Sequence, residues 1–497
     1  MPLSIIRTRA LAGLTAPEVT VEAHVSGGLP AFSLVGLPET AVRESRDRVR
    51  AALLSSGFEF PPSRITLNLA PADLPKEGTR FDLAIAMAIL VATGQVDHQA
   101  LQNYELIGEL SLSGSLRHVP GALPTALAVR QSGRTLVIPR DSLEEASLIP
   151  GVDLLPVSHI SELVAHLTGR TSLPVHRPDP PTFAVPDGPD LADVRGQHRA
   201  RRALEIAAAG GHNLLMIGPP GSGKSMLAQR LPGILPAMTE EEALATAAIA
   251  SISSQGFHVK HFGMRPFRSP HHSASSVALI GGGSNPKPGE VSLAHNGVLF
   301  LDEMPEFDRK VLEVLREPLE TGQITISRAA RQVDFPARFQ LVGAMNPAPN
   351  GVDEHTPEAI RYRAKLSGPL LDRIDIHIEV PRIPAAELRA DQSRRPETSA
   401  EVRERVQAAR QRMLLRQGVP NAHLSTAGIN QHCRLSHRNA LLLEQAMEKL
   451  NLSARARDRI LKVARTIADL DGKDDITSTH LSEAITYRSL DRLFRNH

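Results

Sequence analysis

The spacing of apolar residues changes along this 497-residue chain. In residues 1–172, alternating runs such as "SRITLNLAP" (63–71) predict strands, and the apolar run "FDLAIAMAILVATG" (81–94) predicts a buried helix that ends at glycine. Strands and helices alternate again from residue 191 to about residue 383. From about residue 398 the apolar period is helical and the polar positions are strongly charged, as in "AEVRERVQAARQRMLLRQG".

A proline-rich segment separates the first two stretches. "PVHRPDPPTFAVPDGP" (174–189) contains six prolines, which exclude a helix or a central strand and favour a semi-rigid linker. The sequence therefore predicts a mixed α/β domain (1–172), a linker (173–190), an α/β core (191–383) and a helical domain (384–497).

Composition narrows the functional classes. Charged residues make up 22% and hydrophobic residues 41%, which is ordinary for a globular protein, and the single cysteine, Cys433, excludes an internal disulfide. Apolar runs stay shorter than a membrane span and the first residues lack the apolar region of a signal peptide, so we expect a cytoplasmic protein without a membrane partner. The net charge of +2 means that any DNA binding must come from local basic patches.

The strongest motif is "NLLMIGPPGSGKSMLAQRL" (213–231). An apolar strand runs into a glycine-rich loop that opens a helix, which is the context that the phosphate-binding pattern G-x-x-x-x-G-K-[ST] requires. The predicted nucleotide-binding residues are Gly218, Pro219, Pro220, Gly221, Ser222, Gly223, Lys224 and Ser225. Glycines let backbone N–H groups face phosphate oxygens, Lys224 can reach the terminal phosphates, and Ser225 can ligate Mg²⁺. The motif predicts that the protein uses ATP and Mg²⁺.

A second motif, "GVLFLDEMPEF" (297–307), completes such a site. Four apolar residues suit a buried parallel strand, and two acidic residues follow at its carboxyl end, where α/β folds form ligand sites. We expect Asp302 to hold Mg²⁺ and Glu303 to polarise the attacking water.

These segments together resemble an AAA+ ATPase. The stretch "DVRGQHRARRALEIAAAGGHNLLMIGPPGSGKS", which includes Gln197 as an expected nucleotide contact, is followed by "GVLFLDE". The resemblance implies a sensor 1 role for Asn346 in "LVGAMNP", an arginine finger for Arg373 in "SGPLLDRIDI", and a sensor 2 role for Arg455. A finger that reaches a neighbour's nucleotide implies a ring, usually a homo-hexamer.

The resemblance extends to the YifB/ComM family of magnesium-chelatase-like AAA+ ATPases. It covers nearly the whole chain through "RPFRSPHHSASSVALIGGG", "SGPLLDRIDIHIEVP" and the long N-terminal stretch from "GLPAFSLVGLPETAVRE" to "FDLAIAMAIL". It implies a P-loop AAA+ core of the helix-2-insert type, a C-terminal helical lid and an N-terminal Lon-protease-like α/β domain. It also implies an ATP-dependent DNA motor, a helicase acting in branch migration, DNA recombination and natural transformation, with recombination proteins as possible partners.

The chain departs from the related patterns at three places. Arg80 occupies the position of the Lon-type nucleophile, and Leu123-Pro124-Thr125 stands where a lysine would be needed, so a scaffold or DNA-binding role is favoured over peptidase activity. The stretch "NPAPNG" lacks the cysteines of a metal knuckle. A D-x-S-x-S motif is also absent, so the alternative of a chelatase-like or protein-remodelling ATPase would need a partner protein to supply it.

DNA contacts are predicted from two segments. "ETGQITISRAARQVDFP" (320–336) favours a β-hairpin, which the resemblance directs into the ring pore with Arg328 and Arg331 facing phosphates; the alternative is an exposed hairpin with solvated arginines. Arg265 and Arg268 lie in a second basic segment.

Histidines crowd the same second segment. His258, His261, His271 and His272 could bind zinc, but adjacent histidines in an extended chain point to opposite faces, and no cysteine is nearby. We therefore expect the pair at 271–272 to contact DNA or a neighbouring subunit, with structural packing as the alternative.

Overall fold

The computed structural model describes residues 3–184, 188–283, 286–328, 331–349, 356–384 and 396–495. The chain forms two compact units, Met1–Ala184 with Leu244–Phe262, and Val185–Ala243 with Gly263–His497. The first unit thus includes a short segment that the sequence alone assigned to the core.

The first unit contains mainly short strands and helices. Its strands are β1 (Leu3–Arg9), β2 (Glu18–Ser26), β3 (Ala31–Val35), β4 (Arg64–Ala70), β5 (Tyr104–Leu106), β6 (Glu109–Leu110), β7 (Leu116–Arg117), β8 (Thr135–Pro139) and β9 (Asp153–Val157). Its helices are α1 (Thr40–Arg43), α2 (Ser45–Ser55), α3 (Asp82–Ala92), α4 (Ala122–Ser132), α5 (Leu143–Ala146) and α6 (Ile160–Leu167).

The core of the first unit forms around α3. Within the described residues, one sheet has the strand order β1-β2-β4-β3, with only the β3–β4 pair parallel, and a second, parallel sheet has the order β5-β8-β9. Every residue of α3 is buried, which explains why its sequence lacks a polar face and confirms the predicted apolar helix.

The second unit holds the longer elements. Its strands are β10 (Leu214–Ile217), β11 (Phe267–Arg268), β12 (Gly281–Gly282), β13 (Lys287–Pro288), β14 (Val298–Leu301), β15 (Gln323–Arg328), β16 (Arg331–Pro336), β17 (Gln340–Met345) and β18 (Ile376–Glu379). Its helices before residue 384 are α7 (His198–Gly210), α8 (Lys224–Ile234), α9 (Glu240–Ser251, shared with the first unit), α10 (Ser276–Ile280), α11 (Glu290–Leu293), α12 (Arg309–Val314), α13 (Arg316–Thr321), α14 (Pro357–Arg363) and α15 (Gly368–Leu371).

A parallel sheet positions the functional residues. Over the described ranges its strand order is β11-β14-β17-β10-β18, and every adjacent pair is parallel. The residues of β10, β14 and β17 are all buried, as expected for strands covered on both faces. Because the carboxyl ends of parallel strands share one edge, the loops after these three strands meet.

Helices complete the second unit. They are α16 (Ser399–Gln417), α17 (Thr426–His432), α18 (His437–Lys449), α19 (Ala454–Leu470), α20 (Ser478–Thr486) and α21 (Arg492–Arg495). Apolar residues of α16 and α19, including Val406 and Ala464, share one buried cluster with α7 and α8. The predicted C-terminal helical region is confirmed, and its apolar positions pack onto the sheet-bearing core.

Candidate functional site

The phosphate-binding loop connects β10 to α8. A Cβ atom on Gly218 would lie 2.1 Å from the carbonyl oxygen of Val380, so only glycine fits there. Gly223 has a φ of +96° immediately before Lys224, the first residue of α8. This left-handed backbone turns the chain from the loop into the helix at a point where most other residues would be strained. The loop therefore follows the geometry that its sequence predicts.

Lys224 is buried under this loop. Its Nζ donates hydrogen bonds to Gly218 O at 2.7 Å, Pro219 O at 3.0 Å and Asn346 Oδ1 at 3.1 Å. Burial lowers the pKa of Lys224, and the negative charges of Asp302 and Glu303 oppose that shift. Asn346 follows β17, the strand next to β10, so the two predicted nucleotide contacts meet across neighbouring strands.

The acidic pair follows β14. Ser225 Oγ donates to Asp302 Oδ2 at 2.6 Å, and the backbone N–H of Glu303 donates to Asp302 Oδ1 at 2.9 Å. Glu303 has a φ of +49°, an uncommon conformation for a residue other than glycine and one often found at functional sites. Its side chain is 55% exposed, so Glu303 is open to solvent where β14 ends.

The residues present fit Mg²⁺ and a nucleotide phosphate. Ser225 and Asp302 provide paired oxygen ligands, which Mg²⁺ prefers. Ser222 Oγ is buried in the loop and has no hydrogen-bond partner among the described residues. A buried cation, a helix N-terminus and an unsatisfied hydroxyl together suit a phosphate group.

Residues distant in sequence hold the loop in shape. Gln197 donates from Nε2 to Ser222 O at 3.1 Å and to Pro381 O at 2.8 Å. Arg382, which the sequence analysis missed, donates from Nη2 to Pro220 O at 3.1 Å. Arg382 lies 162 positions from Pro220 and outside any local motif. Its contact with the loop can therefore be recognised only from the structure, in which β18 pairs with β10.

The predicted arginine finger, Arg373, lies at the amino-terminal ends of the strands, whereas the phosphate-binding loop lies at their carboxyl-terminal ends. Arg373 precedes β18, whose first residue pairs with the first residue of β10, and its carbonyl accepts from Asn213 Nδ2 at 2.8 Å. Its guanidinium donates to Glu320 and, at 2.6 Å, to Pro369 O. A four-residue strand spans about 13 Å, so this edge is separated from the phosphate-binding loop by the length of β10.

The predicted sensor 2 arginine lies beside that finger. Arg455 Nη1 is 3.8 Å from Asp372 Oδ2, one residue before Arg373, and its side chain is 72% exposed. The structure therefore groups Arg373 with Arg455 and separates both from the loop that holds Lys224.

Comparison with known proteins finds matches along most of the chain. The families described as "Magnesium chelatase, subunit ChlI", "Subunit ChlI of Mg-chelatase" and "Magnesium chelatase, subunit ChlI C-terminal" match residues 190–388, 21–142 and 396–488. The chain is 52% identical to the uncharacterized protein YifB of Escherichia coli, over 99% of this chain and 98% of that protein. It is 50% identical to the competence protein ComM of Haemophilus influenzae, over 100% of this chain and 99% of that protein.

The chain belongs to the YifB/ComM family. It is a magnesium-chelatase-like AAA+ protein with an α/β P-loop core and a helical C-terminal region, and use of a nucleotide and Mg²⁺ follows from this family. A more distant relative, the chloroplastic magnesium-chelatase subunit ChlI-2 of Arabidopsis thaliana, is 26% identical over 39% of this chain and 42% of that protein. Across the described residues, no helix is long and apolar enough to cross a membrane.

The structure describes the side chains of only two of the four arginines predicted to contact DNA, Arg265 and Arg268. The hairpin of β15 and β16 is confirmed as an antiparallel pair in which Arg328 faces Arg331, but the side chains of these two arginines lie outside the described residues. Arg265 donates to three backbone carbonyls and, at 2.9 Å, to Glu242 Oε2. Arg268 forms a bidentate pair with Glu290 at 2.6 and 2.7 Å.

These bonds hold the side chains of Arg265 and Arg268 against groups of the second unit. Most of their hydrogen-bonding capacity is used there, and their contact with DNA stays a prediction.

The histidine pair differs from the expectation. The rings of His271 and His272 lie 4.1 Å apart at a 35° angle, because the two residues sit in a turn rather than an extended strand. The prediction that the rings point to opposite faces is wrong. His258 and His261 pair separately within the first unit, and no group of three or more metal-ligating side chains occurs in the part of the chain that the structure describes.

The residue at the Lon-like nucleophile position of the first unit, Arg80, is buried. Arg80 is 4% exposed and donates from Nη2 to Thr125 Oγ1 at 2.7 Å; Thr125 belongs to the stretch Leu123–Thr125, which resembles the lysine-bearing segment but contains no lysine. Thr125 is fully buried and donates to Gly121 O. Burial lowers the pKa of Arg80 to about 10, against the attraction of Glu145. Thr125 is inaccessible to a substrate, and Arg80 remains protonated at neutral pH, so these positions do not form a nucleophile and its base.

Proposed function

We propose that this protein is an ATP-driven DNA motor that assembles as a ring, hydrolyses ATP and moves branched DNA in recombination and natural transformation. The observation that carries the proposal is the meeting of Lys224, Asn346 and the Ser225–Asp302 pair at one sheet edge. The 50% identity to a competence protein over the whole chain supports the pathway.

The proposed hydrolysis uses groups already positioned. Lys224 exchanges its loop carbonyl partners for the terminal phosphates of ATP, while Ser225 and Asp302 would hold Mg²⁺, which supplies charge neutralisation between the phosphates when bound. Glu303 orients the attacking water and accepts its proton, and Asn346 holds that water through its amide.

The opposite sheet edge supports a ring. Arg373 and Arg455 lie together at the amino edge, about a strand length from the loop of their own chain. They can complete a phosphate site only on a neighbouring copy. We therefore include a homo-oligomeric ring, hexameric by resemblance to AAA+ proteins, in the proposal.

The hairpin supports contact with DNA. The register pairs Arg328 with Arg331, so both arginines come from the tip of the β15–β16 hairpin. Two arginines per subunit, repeated around a ring, would line a cationic pore that binds phosphates without reading sequence. Recombination proteins are possible partners of such a motor.

A second candidate is a chelatase-like ATPase that remodels a partner protein. The match of the core to a magnesium-chelatase subunit family favours it. It shares the hydrolytic site with the motor, so the two candidates differ in which macromolecule changes the turnover rate.

The test is the steady-state rate of ATP hydrolysis with and without forked or single-stranded DNA. We expect DNA to raise the turnover and binding to DNA to depend on ATP. A rate that DNA leaves unchanged, with no ATP-dependent binding, would refute the motor and leave the partner-protein candidate.

A mixing experiment tests the shared site. The Lys224→Ala and Arg373→Ala proteins should each be inactive. In the first, every site lacks the lysine of the phosphate-binding loop, and in the second, every site lacks the arginine finger of the neighbouring subunit. Mixed together, they should regain part of the activity through sites that join an intact loop to a neighbour's intact finger. Arg361→Ala, which removes an exposed arginine of α14, is the matched control and should retain turnover. Full activity of Arg373→Ala alone would contradict the assignment.

A further inference from the structure

The predicted finger is held by groups of its own subunit. The guanidinium of Arg373 donates from Nη2 to Glu320 and from Nη1 to Pro369 O at 2.6 Å. The side chain of Arg373 is 11% exposed, whereas that of Glu320 is 62% exposed. Both terminal nitrogens are therefore bonded within the subunit, and the finger must give up Glu320 before it can contact a neighbour's phosphate.

The backbone at the finger is fixed, so the side chain is the part that can respond. The carbonyl oxygen of Arg373 accepts from Asn213 Nδ2 at 2.8 Å, beside the start of β10. The carbonyl oxygen of Ile374 accepts from Arg488 Nη1 at 2.5 Å, and the buried Arg488 is paired in turn with Asp491. These bonds tie the base of the finger to the sheet and to the segment that follows α20.

The charges around Arg373 make Glu320 the group that retains it. Burial lowers the pKa of Arg373, and the carboxylate of Glu320 opposes that shift. The positive charges of three other arginines act in the same direction as burial: Arg316, Arg455 and Arg459. Without Glu320, the guanidinium would be left among cations that repel it. Because water screens an exposed ion pair, a polyphosphate of higher charge can replace this carboxylate.

The helix that carries Glu320 is joined directly to the hairpin. Helix α13 ends at Thr321, and β15 begins two residues later at Gln323. The hydroxyl oxygen of Thr321 is 3.0 Å from the carbonyl oxygens of both Glu317 and Gln323, and it accepts from the N–H of Gln323 at 3.2 Å. One side chain thus ties the last turn of the helix to the first residue of the strand, so a displacement of the hairpin moves Glu320 as well.

We propose that Glu320 is a positioning residue that holds Arg373 within its own subunit, and that DNA on the β15–β16 hairpin releases the finger through α13. The inference rests on the proposed ring motor and adds its regulation: a neighbour's site stays incomplete until the hairpin binds DNA. The held and the released finger are two arrangements of one arginine, and DNA favours the second because it binds the displaced hairpin more tightly.

The first test compares kcat and KM for ATP in the full-length wild-type, Glu320→Ala and Glu320→Asp proteins, with and without single-stranded DNA. We expect Glu320→Ala to raise the DNA-free kcat about fivefold with an unchanged KM, and to reduce the stimulation by DNA correspondingly. Glu320→Asp keeps the carboxylate and should return the DNA-free kcat toward the wild-type value. If the alanine variant fails to fold, Glu320→Gln removes the charge from a side chain of the same shape.

A mixing experiment tests whether Glu320 acts at the neighbour's site. The doubly substituted Lys224→Ala/Glu320→Ala protein supplies a released finger without a working loop, and Arg373→Ala supplies a working loop without a finger. Their mixture should hydrolyse ATP about fivefold faster than Lys224→Ala mixed with Arg373→Ala at the same ratio. A merely structural role of Glu320 in its own subunit would not raise the rate at a neighbour's site.

Glu317→Ala is the matched control, since it removes an exposed carboxylate from the same helix. It should leave kcat, KM and the stimulation by DNA unchanged.

The outcomes separate the inference from the proposed function. If Lys224→Ala mixed with Arg373→Ala is active but Glu320→Ala has the wild-type or a lower DNA-free kcat, the inference is overturned and the ring stands. If Glu320→Ala has a raised DNA-free kcat and DNA still stimulates it as strongly as the wild type, release through the hairpin is overturned. If that mixture is inactive, or if DNA fails to stimulate the wild type, the ring motor falls and the inference falls with it.

Discussion

Two sites in this chain place a buried cation beside a hydroxyl, and they differ in the groups that surround the cation. In the second unit, Lys224 is 8% exposed and begins a helix with Ser225, beside Glu303, whose side chain is 55% exposed. In the first unit, Arg80 and Thr125 bond to each other at 4% and 0% exposure. The first arrangement can exchange its partners for a ligand, whereas the second can only stabilise its own surroundings.

The difference shows how the hydrogen-bond acceptors around a buried cation determine its use. Lys224 shares its three bonds with two loop carbonyls and one amide, all neutral acceptors that a phosphate can replace. Arg80 is enclosed with Thr125 and is attracted by the negative charge of buried Glu145. Two of its guanidinium nitrogens have no hydrogen-bond partner among the described residues. We expect mutations to divide accordingly, with activity lost at one site and stability lost at the other.

The largest effect should come from Glu303→Gln. The amide cannot accept the proton of the attacking water, so kcat should fall by a factor of at least about 100, the usual range for a lost general base. Nucleotide binding and the thermal unfolding temperature should remain those of the wild type. Steady-state hydrolysis, nucleotide titration and thermal unfolding measure the three quantities, and retained turnover would remove Glu303 from the role of base.

The opposite result is expected from Thr125→Val in the first unit. This change keeps the shape of the side chain but removes the acceptor of the Arg80 bond, which leaves a buried charge without its hydrogen bond. The free energy of unfolding should fall by about 2 kcal/mol, within the usual cost of an unsatisfied buried group. Denaturant unfolding measures it, and ATP turnover at low temperature should be unchanged.

If Thr125→Val lost ATP turnover while its stability stayed unchanged, the contrast between the two sites would be contradicted, because the buried Arg80–Thr125 site would then have a catalytic role. Ser113→Ala is the control for this prediction, since it removes an exposed hydroxyl from the same unit and should change neither quantity.

The smallest effect is expected from Gln197→Ala. Gln197 supports the loop from outside through Ser222 and Pro381, so its loss should loosen the loop without removing a reacting group. We expect KM for ATP to rise about fivefold, the equivalent of about one hydrogen bond, with kcat nearly unchanged. An equally large fall in kcat would show that Gln197 contributes to the transition state instead.

The strand–loop–helix geometry of the candidate nucleotide site was predictable because phosphate binding concentrates its requirements in one short segment. A strand, a glycine-rich turn and a helix N-terminus follow one another in sequence, so the loop from Gly218 to Ser225 can be recognised from the sequence alone. Arg382 and the close approach of Val380 to Gly218 were not predictable, since they depend on pairing between strands far apart in the chain.

The histidine pair shows where a local rule fails. The expectation for His271 and His272 assumed an extended backbone, but the N–H of Ala274 donates to the carbonyl of His271 and the chain turns there. The placement of Leu244–Phe262 in the first unit was also missed, because it depends on tertiary contacts such as that of Ser251 with buried Glu145. Long-range packing, rather than residue type, determines this second feature.

The most direct test of the central claim is a branch-migration assay on synthetic three- and four-strand junctions with ATP. The account predicts that the wild-type protein converts the junctions to exchanged products only when ATP is present, and that Lys224→Ala forms none. Junctions that stay intact with an actively hydrolysing wild-type protein, or products formed equally by Lys224→Ala, would contradict an ATP-driven DNA motor.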